Sequence, residues 1–194
     1  MTCGLILAAG ESRRMGSPKA LLEFQGETFL DRLIGLFSER CAPVIAVVGA
    51  HRDTVIAGLR RTGQALLIAN PDFRLGQFTS MHCGLRAVPA DADGVLFTLV
   101  DHPAVTRATI SSLLDGSAPA RLRIPRFDGR RGHPIWFSKS LIPEFLALPT
   151  GASAKEVVTS HASEIAYIDV DDPGILADVD DATAYAKLLA GSHA

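Results

Sequence analysis

Short apolar runs at residues 5–7, 44–48, 66–69 and 95–100 alternate along the chain with helix-length stretches around residues 29–37, 54–60 and 79–88. Continuous apolar runs of strand length, bounded by Gly or charge, read as strands covered on both faces. Their alternation with helices predicts a βαβ rhythm and a parallel sheet. After a helix over residues 106–114 the pattern changes. Residues 122–127 and 133–137 flank Asp128-Gly129 and read as a hairpin, with Pro134 placing its second strand near a sheet edge. Helices over residues 141–146 and 153–160, a strand at 165–170 and a helix at 182–189 complete the expectation. The fold class is α/β, a doubly wound and mostly parallel sheet with a hairpin insertion. With 194 residues, 47% of them hydrophobic and 21% charged, the chain suits one domain over residues 1–194.

Composition narrows the partners. No apolar run is long enough to span a bilayer, and Met1-Thr2-Cys3-Gly4 leads into a strand without a basic leader. The expectation is an untargeted cytoplasmic chain with no membrane partner. Cys3, Cys41 and Cys83 are widely spaced and form no Cys-x-x-Cys pair, so neither a disulfide framework nor a zinc site is indicated. A net charge of −2 argues against a nucleic-acid partner, which would need a basic surface. Charge is nevertheless divided: arginines crowd residues 121–131, and aspartates crowd residues 169–181. That division fits an anion-binding rim facing a metal-binding floor, or two solvated loops of opposite sign.

The first strand runs into Leu7-Ala8-Ala9-Gly10-Glu11-Ser12-Arg13-Arg14-Met15-Gly16-Ser17-Pro18-Lys19. Glycines let backbone N–H groups approach phosphate oxygens, and Arg14 and Lys19 supply charge to a polyphosphate. Gly10 and Gly16 are separated by five residues and Pro18 precedes Lys19, so this is not the phosphate loop of the Walker type. Nor is there a Gly-x-Gly-x-x-Gly. A solvated cationic loop is the plainer alternative. Further on, the run at 95–100 delivers Asp101 to the end of a buried strand, where a carboxylate needs a cation or donors. Magnesium meets that need; capping the next helix is the other reading, though Thr106 is nearer for it. Asp178 and Asp180 are two apart and leave one face of an extended segment, a second invitation to a cation. His102 stays unassigned between metal ligand, partner of a ligand and exposed side chain.

The first of these segments resembles the signature Leu-x-Ala-Gly-x-Ser-x-Arg-Met-Gly-x-x-Lys of small nucleotidyltransferases, with every fixed position met. Asn70-Pro71, Gly76, Ser80 and Gly84-Leu85, then Asp101-x-Pro103, Gly132-His133-Pro134 and Asp178-Val179-Asp180, extend the resemblance toward the molybdenum cofactor cytidylyltransferases and their close relatives. That resemblance implies a Rossmann-like nucleotidyltransferase fold and transfer of CMP from CTP to the terminal phosphate of molybdenum cofactor, releasing pyrophosphate. It implies Arg14, Lys19 and Asp101 as catalytic groups. Leu7, Ala8, Ala9, Gly10, Ser12, Arg14, Gly16, Lys19 and Ser80 would bind the nucleotide. Mg2+ would be held by Asp101 and Asp180, with Asp178 second, and Arg130, Arg131, Gly132 and His133 are assigned to the acceptor. The preference for CTP over another NTP rests on Leu7-Ala8-Ala9-Gly10 and Pro18-Lys19. The family's usual residues after the last acids are replaced by Asp181-Ala182 and Ala184-Tyr185, which makes Asp181 an N-cap candidate. Two alternatives stay open: a transferase for a sugar or polyol phosphate, and a non-catalytic carrier that hands the cofactor to a molybdoenzyme client.

Overall fold

A computed structural model describes residues 1–116, 119–149 and 151–191. Strand β1 (Thr2–Ala8) is followed by the short hairpin β2 (Glu23–Phe24) and β3 (Glu27–Thr28), then α1 (Phe29–Ser38), β4 (Val44–Val48), α2 (Arg52–Gly58), β5 (Leu66–Ala69), α3 (Gln77–Leu85) and β6 (Gly94–Leu99). The second half contains α4 (Arg107–Asp115), β7 (Leu122–Phe127), β8 (Arg130–Arg131), β9 (Ile135–Ser138), α5 (Ile142–Ala147), α6 (Ala154–Ser160), β10 (Ile165–Asp169) and α7 (Ala182–Gly191). The main sheet runs β10-β7-β9-β6-β1-β4-β5, with β8 paired to β7. β1 lies parallel to both β4 and β6, β4 is parallel to β5 and β10 to β7, while β9 is antiparallel to both neighbours.

The central strand shows why its sequence is apolar without alternation. Ile6 and Ala8 pack into a cluster with Phe29, Leu33, Ile34 and Phe37 of α1 and Ile110 and Leu113 of α4. Cys3, Leu5 and Leu7 point the other way, against Phe78, Met81 and Leu85 of α3 and Phe145 of α5. Both faces are covered, so every position must be apolar, and each fully buried Leu or Ile contributes about 1.5–3 kcal/mol. Helix α1 starts where Thr28 accepts a hydrogen bond from the Asp31 N–H, and its buried residues form one stripe.

Three expectations are corrected. β9 is an interior strand; the edges are β10 and β5. Pro134 sits just before β9, joined to His133 by a cis peptide, so its missing N–H removes nothing from the ladder. Helices α2 and α3 each begin two residues earlier than expected, because left-handed His51 (φ 57°) and Gly76 (φ 117°) turn the chain sharply into them. The hairpin β2–β3 went unread; its turn uses Gln25 (φ 53°) and Gly26 (φ 83°), both in the left-handed region that tight two-residue turns require. No helix among the described residues is long and apolar enough to cross a membrane.

Candidate active site

The carboxyl ends of β1 and β6 lie side by side, with Leu7 opposite Leu99 and the Val100 N–H donating to Leu7 O at 3.0 Å. This register brings the loop after β1 against Asp101. The loop is closed by Ser12 (φ 51°), whose Oγ accepts from the Lys19 N–H at 2.9 Å. Gly16 holds φ 70°, a value that favours glycine. At Gly10 neither reason applies: its φ is not positive, and a Cβ there would meet nothing within 4 Å. The space over the loop is open, as a phosphate cradle requires.

Lys19 lies at the focus. Its side chain is only 13% exposed, and its ammonium donates to Asp101 Oδ2 at 3.3 Å and to Asp180 Oδ1 at 2.7 Å. Arg14, largely solvated, meets Asp180 Oδ2 at 3.1 Å. The Lys19 hydrogen bond holds the Asp180 carboxyl below its ordinary value. The C-terminal acids are pinned in place by the Val179 N–H, which donates to Asp101 O at 3.0 Å while the Val179 side chain is buried. Its flanking residues Asp178 and Asp180 both line the cleft.

The residues with the spacing of a cation site are Asp101, His102 and Asp178, whose ligand atoms lie within 4.8 Å of one another. Asp180, ranked ahead of Asp178 by the resemblance, is instead engaged with the two cations. The group fits a divalent metal on three observations. Asp101 Oδ1 is buried without a hydrogen-bond partner. Asp178 is pushed above its ordinary value by burial and then by the charges of Asp101 and Asp180. His102 is held down to about 4, chiefly by burial and then by Lys19, and so presents a neutral imidazole. Asp101 does not cap α4: Thr106 does, accepting from the Thr109 N–H, while buried Asp172 accepts from the Thr106 N–H at 2.9 Å.

Arg14, Lys19, Asp101, Asp178 and Asp180 line a cleft of about 450 Å³ that also takes in Leu7, Ala8, Ala9, Gly10, Phe73, Gln77 and Ser80. Ser80 is not an N-cap, since α3 begins at Gln77; its Oγ accepts from Asn70 Nδ2 at 2.9 Å in the cleft wall. A second cleft of about 590 Å³ adjoins the first, sharing Leu7, Gln77 and Leu99, and is lined mainly by apolar groups such as Phe78, Met81, Phe97 and Ile135. Arg131, Gly132 and His133 reach it; Arg130, exposed on β8, lines neither cleft. The His133 ring stacks on His102 at 4.7 Å and meets Phe97 edge-on at 5.7 Å. The His133 backbone N–H donates to Ile175 O at 3.0 Å, and burial holds the imidazole down to about 4.

The picture of an arginine rim is therefore corrected. Arg121 pairs with Glu144 and Glu164, Arg123 donates to Leu113 O and Leu114 O, and Arg126 forks onto Asp169. Likewise Asp181 accepts from the Ala184 N–H at 2.8 Å, the cap expected of it, and does not join the cleft. The sequence reading missed Gln77 and Phe73 in the first cleft and nearly all of the apolar wall of the second. His102, left unassigned from the sequence, groups with Asp101 and Asp178. The wall had no signal in the sequence, because its residues come from elements as far apart in the chain as β1, α3, β6, β7, β9 and α6.

A doubly wound sheet with a cationic loop at one strand end and carboxylates at the next is the architecture of a nucleotide-binding transferase. Residues 4–165 match the MobA-like NTP transferase domain, and the chain belongs to that family of nucleotidyltransferases. It is similar to the nicotine blue oxidoreductase of Paenarthrobacter nicotinovorans, at 29% identity over 96% of this chain and 95% of that one. It is also similar to the molybdenum cofactor cytidylyltransferase of Escherichia coli strain K12, at 27% identity over 91% of this chain and 89% of the other. A crystal structure of a Mycobacterium tuberculosis H37Rv protein in complex with manganese matches with a TM-score of 0.76 and 25% identity, covering 97% of this chain and 98% of that one. Relatives with such different names share the fold and family while differing in what they act on.

Proposed function

We propose that the chain transfers CMP from CTP to the terminal phosphate of molybdenum cofactor, with release of pyrophosphate and with the help of a divalent cation, magnesium or manganese. The observation that carries this reading is the Lys19 ammonium held between Asp101 and Asp180 at the mouth of an open glycine loop. A triphosphate entering there takes over the positive charge that Asp180 now neutralises, and the loop N–H groups receive its oxygens. Asp101 and Asp178 would hold the cation, which would supply charge neutralisation to the phosphate oxygens. An oxygen of the acceptor phosphate forms the new bond to the α-phosphorus, and the bond to the β-phosphate oxygen breaks. The acceptor phosphate is already anionic near neutral pH, so no general base is needed. The acceptor's ring body occupies the second cleft beside Arg131 and His133, a reading supported by the continuity of the two clefts through Leu7 and Leu99. The likeness to the cytidylyltransferase supports the choice of substrates.

The test is a panel of the four nucleoside triphosphates with purified molybdenum cofactor, read by pyrophosphate release. CTP with the cofactor should give the fastest turnover. Turnover with a sugar or polyol phosphate instead would replace the acceptor, and nucleotide binding without turnover would favour the carrier that serves a molybdoenzyme client.

A further inference from the structure

Asp101 divides its two oxygens. Oδ2 accepts from Lys19, whereas Oδ1 is buried with no hydrogen-bond partner and lies 3.8 Å from His102 Nε2. His102 is itself 8% exposed, its ring makes no hydrogen bond among the described residues, and Nδ1 is buried and unpartnered. Buried polar side chains nearly always find a partner, and here the orphaned Asp101 Oδ1 and the His102 Nε2 beside it, which also makes no hydrogen bond among the described residues, leave two ligand atoms side by side for one occupant. Asp178 brings a third ligand atom into the same 4.8 Å group. The ring is oriented for this role: it stacks on His133, and its backbone N–H is tied to Leu99 O at 3.3 Å.

We infer that His102 is a nitrogen ligand of the cation held by Asp101 and Asp178, and that it tilts this site from magnesium toward manganese. The inference rests on the reading that the first cleft holds a divalent cation. Magnesium takes oxygen ligands and gives up its water reluctantly, while imidazole nitrogen suits first-row transition ions. With Lys19 on the outer oxygen of Asp101, the inner oxygen and His102 Nε2 are left facing one cation.

The experiment is paramagnetic resonance of manganese bound to the full chain, with inorganic triphosphate in place of a nucleotide so that every ligand nitrogen belongs to the protein. Pulsed spectra should show a nitrogen-14 coupling that changes to the nitrogen-15 pattern when histidine alone is labelled. His102→Gln should abolish the coupling and weaken manganese binding about tenfold or more, while magnesium affinity, read by competition, stays within about twofold. If that variant fails to fold, the labelled wild-type chain still decides the matter. Bound manganese without nitrogen coupling would overturn the assignment of His102 and leave the cation site standing. Absence of manganese binding, with and without triphosphate, would overturn the cation reading and this inference with it.

Discussion

The two clefts share Leu7, Gln77 and Leu99 and yet are built on opposite principles. In the first, charge is concentrated and largely self-neutralised, with Lys19 between two aspartates and Arg14 on the second of them. In the second, a mainly apolar wall is relieved by a few polar groups, among them Gln77, Arg131, His133 and Lys155. Neutralised charge is easily exchanged for a ligand's charge, which suits groups that meet polyphosphate and metal. An apolar wall rewards burial of a ring body and discriminates by shape. Substitutions in the first cleft should therefore strike turnover, and substitutions in the second should strike acceptor affinity.

The largest expected effect is at the proposed cation ligands. Asp101→Ala should abolish metal-dependent pyrophosphate release while circular dichroism stays that of the parent. Asp178→Ala should be more damaging than Asp180→Ala, because Asp178 groups with Asp101 and His102 whereas Asp180 is tied to Lys19 and Arg14. The reverse ranking, in rates measured at saturating metal, would restore Asp180 as the principal ligand. Next in size is Lys19→Ala, expected to lower turnover roughly a hundredfold or more if the ammonium stabilises the transferring group. A near-normal rate would reduce Lys19 to a scaffold residue that locks the loop through Ser12.

The second cleft offers the milder contrast. Arg131→Ala and His133→Ala should raise the acceptor KM about tenfold and leave CTP affinity, measured calorimetrically, within about 1 kcal/mol. A large loss of CTP affinity with unchanged acceptor dependence would show that this segment serves the nucleotide and would erase the division between the clefts. Gly132 bears on the same division. A Cβ there would clash with the backbone carbonyl of Ile175, so only glycine lets this segment pack so closely on the turn at Pro173–Leu176.

The contrast also explains what could be read from the sequence. β1 and β6 were legible because strands covered on both faces spell themselves out as apolar runs, and the glycine loop and Asp101 follow directly from their ends. Asp178 and Asp180 were legible as a pair because extended chain has period two. Their unequal partners were not, since these depend on contacts with distant segments such as the Val179 N–H bond to Asp101 O. Pro134 misled through a sound rule applied one residue too far: it precedes an interior strand and belongs to no ladder. The arginine-rich stretch misled because composition cannot tell a guanidinium that meets solvent or ligand from one already spent on Glu144, Asp169 or a helix carbonyl.

The smallest effect expected is one of stability, and it lies behind the second cleft. Helix α6, which carries Ala154, Lys155 and Val158 on the cleft wall, ends at His161. The His161 ring is clamped between Glu164 Oε1, 2.5 Å from Nδ1, and Glu144 Oε2, 2.6 Å from Nε2. A neutral imidazole has one N–H and serves one of these; only the protonated ring serves both. The bond to Glu144 and then that to Glu164 raise His161 above its ordinary value, against burial and the nearby Arg121. In return His161 is the largest cause holding both glutamates below theirs, with Arg121 assisting. The signs set a window. The His161 contribution is complete below its unfolded value of about 6.5 and is lost as pH rises through its raised folded value. The glutamate contributions are complete above their unfolded value of about 4.3 and are lost as pH falls through their lowered folded values. His161→Gln should therefore lower Tm most between about pH 5 and 6.5, with the gap closing at higher pH and shrinking in salt, because the two glutamates that clamp the half-buried ring are partly exposed. Thermal melts of both proteins across that range decide it. A gap that does not change with pH would mean that His161 holds the wall by shape, and that charge governs the first cleft alone.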